Sequence, residues 1–260
     1  MYKKYFDKVE INAKIQKILG YKEDSNGYLA LKRYNLNNEV IKDQTFEEEG
    51  LLIILSGKGE IKIDELKYSL ERKDVFTDKA EAVYIPIKTT FEINTNNYFE
   101  AVLATTPCEI KRKVYCINKE HIESKIVGER EWEREVRIIQ SPDSEGIKLI
   151  IGETINQPGK WSGFPPHKHD VINENESILK EAYFFKVNPN NKGFGLQLLY
   201  NKKGMDVIYK VRNNDLVFLP EGYHSTVATP GTELYYLWIV AGPKKELKFS
   251  IDDNFVHLKS

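Results

Sequence analysis

The chain has 260 residues and a formal net charge of −1, with 38 basic side chains against 39 acidic ones. This balance, together with the lack of a basic stripe, excludes the charge pattern typical of nucleic-acid-binding proteins. Hydrophobic residues make up 41% and aromatic residues 12% of the sequence, which excludes a disordered chain and favours a globular protein rich in strands.

The cysteine content and the apolar segments indicate the cellular compartment. Cys108 and Cys116 are too few for a disulfide framework in a chain of this size. The first seven residues lack the apolar core of a secretion signal, and no run of 18 apolar residues could span a membrane. We therefore expect a cytoplasmic protein with no membrane partner.

Short apolar segments separated by Gly, Pro, Asn and Asp run through the first half of the chain. Residues 28–34 form the first clear strand pattern. Residues 50–64 predict a hairpin, with two strands joined by a turn at Ser56-Gly57-Lys58-Gly59. Further strands are expected at 82–86, 90–93 and 99–105. Short strands with regular turns predict an all-β barrel or sandwich.

The charged segment 107–135 is interpreted as a connector, with its charges on a solvated or interface-lining surface. Beyond it the strand pattern resumes at 148–155, 182–187, 195–200, 206–211, 215–219 and 234–240. We therefore predict two domains, residues 1–125 and 126–260.

The two halves align loosely with each other. Residues 82–86 match 216–220, since both are apolar and end in proline, and Glu49 is matched to Glu181. The first half has no histidine before His121. We expect a tandem repeat in which only the second copy holds a metal ion.

Candidate metal ligands cluster in the second half. His167 and His169 would lie on one face of a strand, because side chains alternate along a strand. Glu181 opens an aromatic run over residues 181–187, and His224 follows a turn. Three imidazoles and a carboxylate are a common ligand set for a divalent transition metal.

Several motifs together resemble the 5-deoxy-glucuronate isomerase family of myo-inositol breakdown, which is related to uronate ketol-isomerases. They are Trp161-Ser162, Pro165-Pro166-His167-Lys168-His169-Asp170, Glu181-x-Tyr183, Gly193-Phe194-Gly195-x-Gln197, Pro220-x-Gly222-Tyr223-His224, Leu234-Tyr235-Tyr236-Leu237 and Ala241-Gly242-Pro243.

The resemblance implies a bicupin, two tandem jelly-roll barrels. It implies a metal-dependent aldose–ketose isomerase that converts 5-deoxy-D-glucuronate to 5-dehydro-2-deoxy-D-gluconate. One divalent metal per chain is expected at His167, His169, Glu181 and His224, with zinc preferred over iron or manganese. The implied partner is a small sugar acid, and association into a homo-oligomer is left open.

Further side chains are candidates for catalysis or substrate binding. Tyr183 shares the strand face of Glu181, and Gln197 is an amide within an apolar strand. Arg134 and Arg137 precede the second repeat and are candidates for the substrate carboxylate, because guanidinium suits bidentate contacts.

The sequence departs from the family pattern at three positions. Lys180 replaces an acidic residue, Leu198 an arginine and Trp238 an asparagine.

Two other functions stay open at this point. One is an iron-dependent oxygenase, since histidine and carboxylate ligands also suit non-haem iron. The other is a sugar-acid-binding cupin without catalysis.

Overall fold

The computed structural model describes residues 6–8, 10, 12–21, 27–190 and 192–258. These residues form strands with three short 3-10 helices (Lys119–His121, Arg130–Trp132 and Asp253–Leu258), so the prediction of a predominantly β fold is confirmed. No helix in the described ranges has the length and apolarity needed to cross a membrane. The strands, in chain order, are β1 (Phe6–Lys8), β2 (Ile15–Leu19), β3 (Ala30–Asn37), β4 (Val40–Gln44), β5 (Glu48–Ile63), β6 (Leu66–Arg72), β7 (Ala82–Ile85), β8 (Thr90–Asn94), β9 (Tyr98–Pro107), β10 (Tyr115–Ile117), β11 (Glu123–Val127), β12 (Arg134–Gln140), β13 (Ile150–Asn156), β14 (Trp161–Lys168), β15 (Lys180–Asn188), β16 (Gly195–Tyr200), β17 (Asp206–Val211), β18 (Asp215–Leu219), β19 (Tyr223–Ala228), β20 (Glu233–Ala241) and β21 (Ser250–Ile251).

The chain divides into two compact units. The N-terminal unit comprises residues 10–123 and 139–150, and the C-terminal unit comprises 124–138 and 151 onward together with β1. The main change of unit, between Glu123 and Ser124, lies close to the division predicted at residue 125. A single division does not describe the molecule, however, because β1 and the segment 139–150 each belong with the other half.

The described residues of the N-terminal unit form one antiparallel sheet with a filled apolar interior. The strand order is β10-β7-β5-β9-β3-β2. In addition, β6 and β8 pair with β5, and β4 pairs with β8. Apolar side chains recur at every second position of these strands and pack together, as alternation along a strand requires. This core comprises Tyr34, Leu36, Leu52, Ile54, Ile61, Ile63, Leu70, Val83, Ile85, Phe91, Ile93, Phe99, Ala101 and Leu103.

The predicted turn at residues 56–59 is wrong, because β5 continues through it as one strand of 16 residues. The chain reverses after Ile63 instead, and Ile63 pairs with Leu66. Gly57 has a φ of 92°, and the pairing of β5 with β9 shifts between Ile54 and Ser56. The Ser-Gly-Lys-Gly segment therefore marks an irregularity inside a strand, which glycine tolerates because it lacks a Cβ.

Strand pairing corrects the alignment of the two repeats by one residue. Gly50 pairs with Ile85 in the N-terminal unit, and Glu181 pairs with Leu219 in the C-terminal unit. Ile85 and Leu219 each directly precede a proline, so they mark equivalent places in the repeat. Gly50 therefore occupies the place of Glu181. The match to Glu49 is wrong, because a shift of one residue puts a side chain on the opposite face of the sheet.

Glu49 is fully buried and holds part of the segment 139–150, which belongs to the N-terminal unit. Its carboxylate accepts hydrogen bonds from the backbone N–H groups of Ile147 (2.8 Å), Lys148 (2.6 Å) and Leu149 (3.1 Å). The Tyr84 hydroxyl donates a fourth, at 2.7 Å. A carboxylate can accept this many donors because each oxygen carries two lone pairs. The role of Glu49 is therefore to fix the backbone of 147–149.

Replacing Glu49 with alanine is expected to lower the free energy of unfolding by at least about 3 kcal/mol, because three backbone donors lose their acceptor. Tyr84→Phe is the control, since it removes a single donor and should cost about 1 kcal/mol. Urea unfolding followed by circular dichroism measures both. An equally small loss for the two variants would contradict the assigned role.

The described residues of the C-terminal unit form two sheets. Within the residues described, one sheet runs β1-β18-β15-β20-β13-β12-β11 and the other β17-β16-β19-β14-β21. Strands β15 and β20 are buried almost throughout, which their continuous apolar and aromatic sequences predict.

Candidate metal centre and substrate cavity

Three buried side chains meet in the C-terminal unit: His169, Glu181 and His224. One ligand atom from each lies within 4.8 Å of the other two. His169 directly follows β14, His224 lies on β19, and these strands belong to one sheet, whereas Glu181 lies on β15 of the other sheet. The cluster therefore joins the two sheets of the unit.

The backbone orients both imidazoles of the cluster. His169 Nδ1 lies 3.1 Å from the carbonyl oxygen of Leu179, and His224 Nδ1 lies 3.1 Å from that of Gly222. A carbonyl oxygen only accepts hydrogen bonds, so each Nδ1 carries the proton and donates it. This arrangement turns both Nε2 atoms into the cluster, as expected of histidines that ligate a metal.

Both Nε2 atoms point at the same carboxylate oxygen. Glu181 Oε2 lies 2.9 Å from His169 Nε2 and 3.1 Å from His224 Nε2. The buried Nε2 of His224 nevertheless has no well-aligned hydrogen-bond partner. Nitrogens this close to an anionic oxygen need a proton or a metal ion between them, and two nitrogens with one oxygen suit a divalent transition metal. The residues therefore fit a metal ion.

The charges of the cluster are coupled. Burial raises the pKa of Glu181, but the hydrogen bonds and charges of His169 and His224 outweigh burial and hold that pKa well below its usual range. Burial lowers the pKa of His169, but the hydrogen bond and charge of Glu181 outweigh it and leave the pKa raised. The carboxylate is therefore ionised, as a metal ligand must be.

His167, the fourth predicted ligand, lies beside the cluster. Its ring centroid is 4.5 Å from that of His224 and 6.3 Å from that of His169. Burial, followed by the neighbouring His224, lowers the pKa of His167 to about 3, so this imidazole is neutral. The structure thus brings three of the four predicted ligands together and places the fourth at the edge of the group, against Phe249.

A cavity of about 430 Å³ adjoins the cluster. Side chains from both sheets line it, and most of them are apolar or aromatic. They are Val127, Gly128, Trp132, Arg134, Val136, Ile138, Thr154, Gly163, Phe164, Pro165, His167, His169, Glu181, Tyr183, Tyr236, Trp238, Val240, Leu247, Phe249 and Ile251. The volume suits a small molecule, and few polar groups are available to orient it.

Two of the predicted functional side chains, Tyr183 and Arg134, line this cavity. The Tyr183 ring stacks on Tyr236 at 4.5 Å, and burial, followed by the charge of Glu181, raises the pKa of Tyr183 well above 10. Arg134 donates to the Trp132 carbonyl oxygen at 3.2 Å, and among the residues described it pairs with no carboxylate. A half-buried cation without a counter-ion is suited to receive one from a ligand.

The other two candidates lie away from the cavity lining. The guanidinium of Arg137 is paired with Glu135 at 2.8 Å and lies 3.9 Å from Glu153. Gln197 is fully buried; its amide accepts a hydrogen bond from the Thr226 hydroxyl at 2.5 Å and donates one to the Leu198 carbonyl at 3.0 Å. Protein partners therefore hold the polar ends of both side chains.

The lysines next to the ligands serve the local structure. Lys168 donates to Asp170 and Glu176, both at 2.7 Å, on the side of β14 turned away from the cluster. Lys180, one of the departures from the family pattern, donates to the Pro220 carbonyl at 2.8 Å. Neither lysine lines the cavity.

One wall of the cavity, which Tyr236, Trp238 and Val240 of β20 form, was not predicted from the sequence. These residues alternate along the strand, and Trp238 and Val240 pair with Tyr183 and Glu181 of β15. The pattern was visible in the sequence, because residues on one face of a strand recur at every second position. The sequence does not show that this strand pairs with β15, and that pairing turns this face toward the ligands.

Elemental analysis of the purified protein is expected to find about one transition metal per chain, by counting ligand sets. The C-terminal unit supplies the cluster, whereas the interior of the N-terminal unit is filled by apolar side chains. Two metal ions per chain would contradict this prediction.

Comparison with known proteins places the chain in a family. The sequence matches the KduI/IolB family over residues 8–258. It is 32% identical over 233 residues to a 5-deoxy-glucuronate isomerase of Geobacillus kaustophilus, covering 87% of this chain and 84% of the relative. A 5-deoxy-glucuronate isomerase of Bacillus subtilis is 31% identical over 209 residues, covering 77% of each chain.

Solved structures agree with this placement. An IolB-like protein from Salmonella typhimurium superposes with a TM-score of 0.95 at 25% identity, covering 99% of this chain and 100% of that one. A mutant oxalate decarboxylase of Bacillus subtilis superposes with a TM-score of 0.65 at 12% identity, covering 96% of this chain and 80% of that one, which is a likeness of fold alone. From its sequence match over almost its whole length, the chain belongs to the KduI/IolB family.

Proposed function

We propose that this chain is a metal-dependent 5-deoxy-glucuronate isomerase, an aldose–ketose isomerase that forms 5-dehydro-2-deoxy-D-gluconate in myo-inositol breakdown. The relatives named above support the reaction. The observation that carries the proposal is that the ligand cluster and a half-buried arginine, which pairs with no carboxylate among the residues described, line the same cavity. The ligand cluster suits the carbonyl end of a sugar acid, and the arginine suits its carboxylate.

Each unit is a cupin barrel in this proposal, with the N-terminal one at 1–125 and the C-terminal one at 126–260, apart from the exchanged segments. The likeness to oxalate decarboxylase supports a cupin fold. The N-terminal barrel is structural, because its interior is packed with aliphatic and aromatic side chains. Catalysis belongs to the C-terminal barrel, whose interior holds the cavity.

His169, Glu181 and His224 hold the metal ion, and His167 completes the set as a fourth ligand. Zinc suits these nitrogen and oxygen donors, and iron or manganese would accept the same set. When bound, the ion supplies Lewis acidity at the carbonyl and neighbouring hydroxyl oxygens of the substrate. The protein positions the ligands in advance, through the backbone carbonyls of Leu179 and Gly222.

Arg134 binds the substrate carboxylate. Burial lowers the pKa of its guanidinium, but an arginine pKa starts so high that the group stays charged. The guanidinium has no carboxylate partner among the residues described, so the substrate supplies the missing negative charge. Binding the carboxylate at one end of the cavity fixes the distance from the aldehyde end to the ligand cluster.

Tyr183 orients the substrate oxygens. Isomerisation moves a hydrogen from C2 to C1 of the aldose and a proton from the C2 hydroxyl to the C1 oxygen. Because its pKa is raised, Tyr183 keeps its hydroxyl proton and donates a hydrogen bond to one of these oxygens. The aromatic lining excludes water and so strengthens that hydrogen bond.

A proton NMR time course with 5-deoxy-glucuronate and the purified protein tests the proposal. The aldehyde signal should disappear while the signals of the ketose product grow. Oxygen consumption during the reaction would support the oxygenase instead. Tight binding of the acid without any change in its spectrum would support the binding module. Either result would overturn the isomerase assignment.

A further inference from the structure

A second layer of hydrogen bonds lies behind the ligand cluster and links two of its members. His224 Nδ1 donates to the Gly222 carbonyl oxygen at 3.1 Å, which orients the imidazole. The N–H group of the same glycine donates to Asp170 Oδ2 at 2.7 Å. Asp170 directly follows His169 in the chain. The neighbour of one ligand therefore holds the residue that orients another.

Gly222 needs such a contact, because glycine has the greatest backbone freedom of any residue. Its φ is 95°, in the left-handed region, and a Cβ at this position would lie 2.7 Å from the Tyr200 carbonyl oxygen. On its C-terminal side, Tyr223 begins β19 and pairs with Tyr200. On its N-terminal side, the hydrogen bond to Asp170 fixes the direction of the N–H group. The sheet and Asp170 together thus fix the carbonyl group that faces His224.

Asp170 is itself held in place by charged neighbours. Lys168 donates to Asp170 Oδ1 at 2.7 Å, which leaves Oδ2 for Gly222. Glu176 is 2% exposed, and its Oε1 accepts the backbone N–H groups of Asp170 (2.7 Å) and Val171 (3.0 Å). Lys168 also donates to both oxygens of Glu176. Protein contacts alone therefore fix the backbone and the carboxylate of Asp170.

We propose that Asp170 is a positioning residue of the metal centre. By holding Gly222, it keeps the His224 imidazole in the tautomer and orientation that direct Nε2 into the cluster. This inference rests on the proposed function, because it takes the cluster to bind a metal ion. Contacts behind the ligands typically change metal affinity by about 10- to 100-fold when they are removed. We expect a loss of that size when the Asp170 carboxylate is deleted.

The test measures the dissociation constant for Zn²⁺ by competition with a chromophoric chelator, using the full chain after its metal has been removed. Asp170→Ala should raise this constant by about 10- to 100-fold. Asp170→Asn keeps an acceptor oxygen for the Gly222 N–H group but cannot accept from Lys168 at the same time, so its constant should be intermediate. Recovery in the asparagine variant would not be expected if the charge of Asp170 alone attracted the metal ion.

Asp215→Ala is the matched control. Asp215 is 4% exposed and also accepts a backbone N–H group, that of Arg212 at 2.7 Å, but it does not line the cavity. Its loss should lower the thermal stability and leave the dissociation constant for Zn²⁺ unchanged. The visible spectrum of the Co²⁺-loaded protein gives a second readout, because it reports the geometry of the ligands. It should change in Asp170→Ala and match the wild-type spectrum in Asp215→Ala.

Gly222→Ala gives an independent perturbation, since the added Cβ displaces the turn and leaves the Asp170 side chain intact. It should also weaken Zn²⁺ binding, and together with Asp170→Asn it decides the question if Asp170→Ala does not fold. A folded Asp170→Ala protein with wild-type Zn²⁺ affinity and an unchanged Co²⁺ spectrum would overturn the role of Asp170. An equal loss of affinity in Asp170→Ala and Asp215→Ala would also overturn it, because general destabilisation would then explain both.

The same measurements separate this inference from the proposed function. If the wild-type chain binds Zn²⁺ but does not convert 5-deoxy-glucuronate, the isomerase proposal fails, and the dissociation constants still decide the role of Asp170. If the wild-type chain converts the acid while Asp170→Ala binds Zn²⁺ as tightly as wild type, the isomerase proposal stands and this inference fails. A wild-type chain that takes up no metal would overturn both the ligand assignment and the role of Asp170.

Discussion

His224→Ala is expected to lose its metal ion and, with it, at least about a thousandfold in kcat/KM. The imidazole supplies one of the three converging ligand atoms, and its buried Nε2 has no other well-aligned partner. Lewis-acid stabilisation is worth several kcal/mol, and each 1.4 kcal/mol corresponds to about tenfold in rate. Elemental analysis and steady-state kinetics measure the two losses.

The fold should survive this substitution, since His224 pairs through its backbone with neighbouring strands that keep their other contacts. Circular dichroism and thermal melting check this. His121→Ala is the matched control, because His121 is an exposed residue of the N-terminal unit, and its loss should change neither metal content nor activity. A folded His224→Ala protein with full metal occupancy would show that His224 is not a ligand.

Arg134→Ala is expected to raise KM for 5-deoxy-glucuronate by about 10- to 100-fold. A charge-assisted hydrogen bond contributes about 1.5–3 kcal/mol, which corresponds to that range. The matching neutral deoxy-sugar has no carboxylate, so its KM should stay nearly unchanged. Arg134→Lys keeps the charge but not the planar donors, and it should recover part of the affinity.

Arg137→Ala is the informative comparison. Arg137 lies on the same strand, but its guanidinium is already paired with Glu135 and near Glu153. Removing it leaves Glu153 buried with less positive charge nearby, so the loss should lower thermal stability and leave KM unchanged. Equal effects of Arg134→Ala on the acid and the neutral sugar would move the carboxylate site elsewhere.

The sequence predicted the strands and the ligand region well, because both depend on local patterns. Alternation along β15 placed Glu181 and Tyr183 on one face, and both line the cavity. It was not applied to residues 134–140, for which no strand was predicted. Because these residues form β12, positions 134 and 137 point to opposite faces. That is why one arginine lines the cavity and the other does not.

What the sequence could not show depends on partners that are distant along the chain. The amide of Gln197 resembles a substrate-binding group until the Thr226 hydroxyl is seen to occupy its oxygen. Gly57 resembles a turn residue until β5 is seen to continue through it to Ile63. Glu49 resembles the counterpart of a ligand until pairing shows it on the other face. In each case the local pattern allowed two readings, and tertiary contacts selected one.

The glycine at the ligand position of the N-terminal unit has a consequence for protein engineering. A Cβ on Gly50 would lie 2.9 Å from Leu103 Cδ1, so a carboxylate there would collide with the packed interior before it reached any metal. Copying the three ligands into this unit would therefore not create a second metal centre. Space would have to be opened first, by truncating residues such as Leu52 and Leu103, at a cost of about 2–5 kcal/mol for each. A second centre thus requires a redesigned and separately stabilised core.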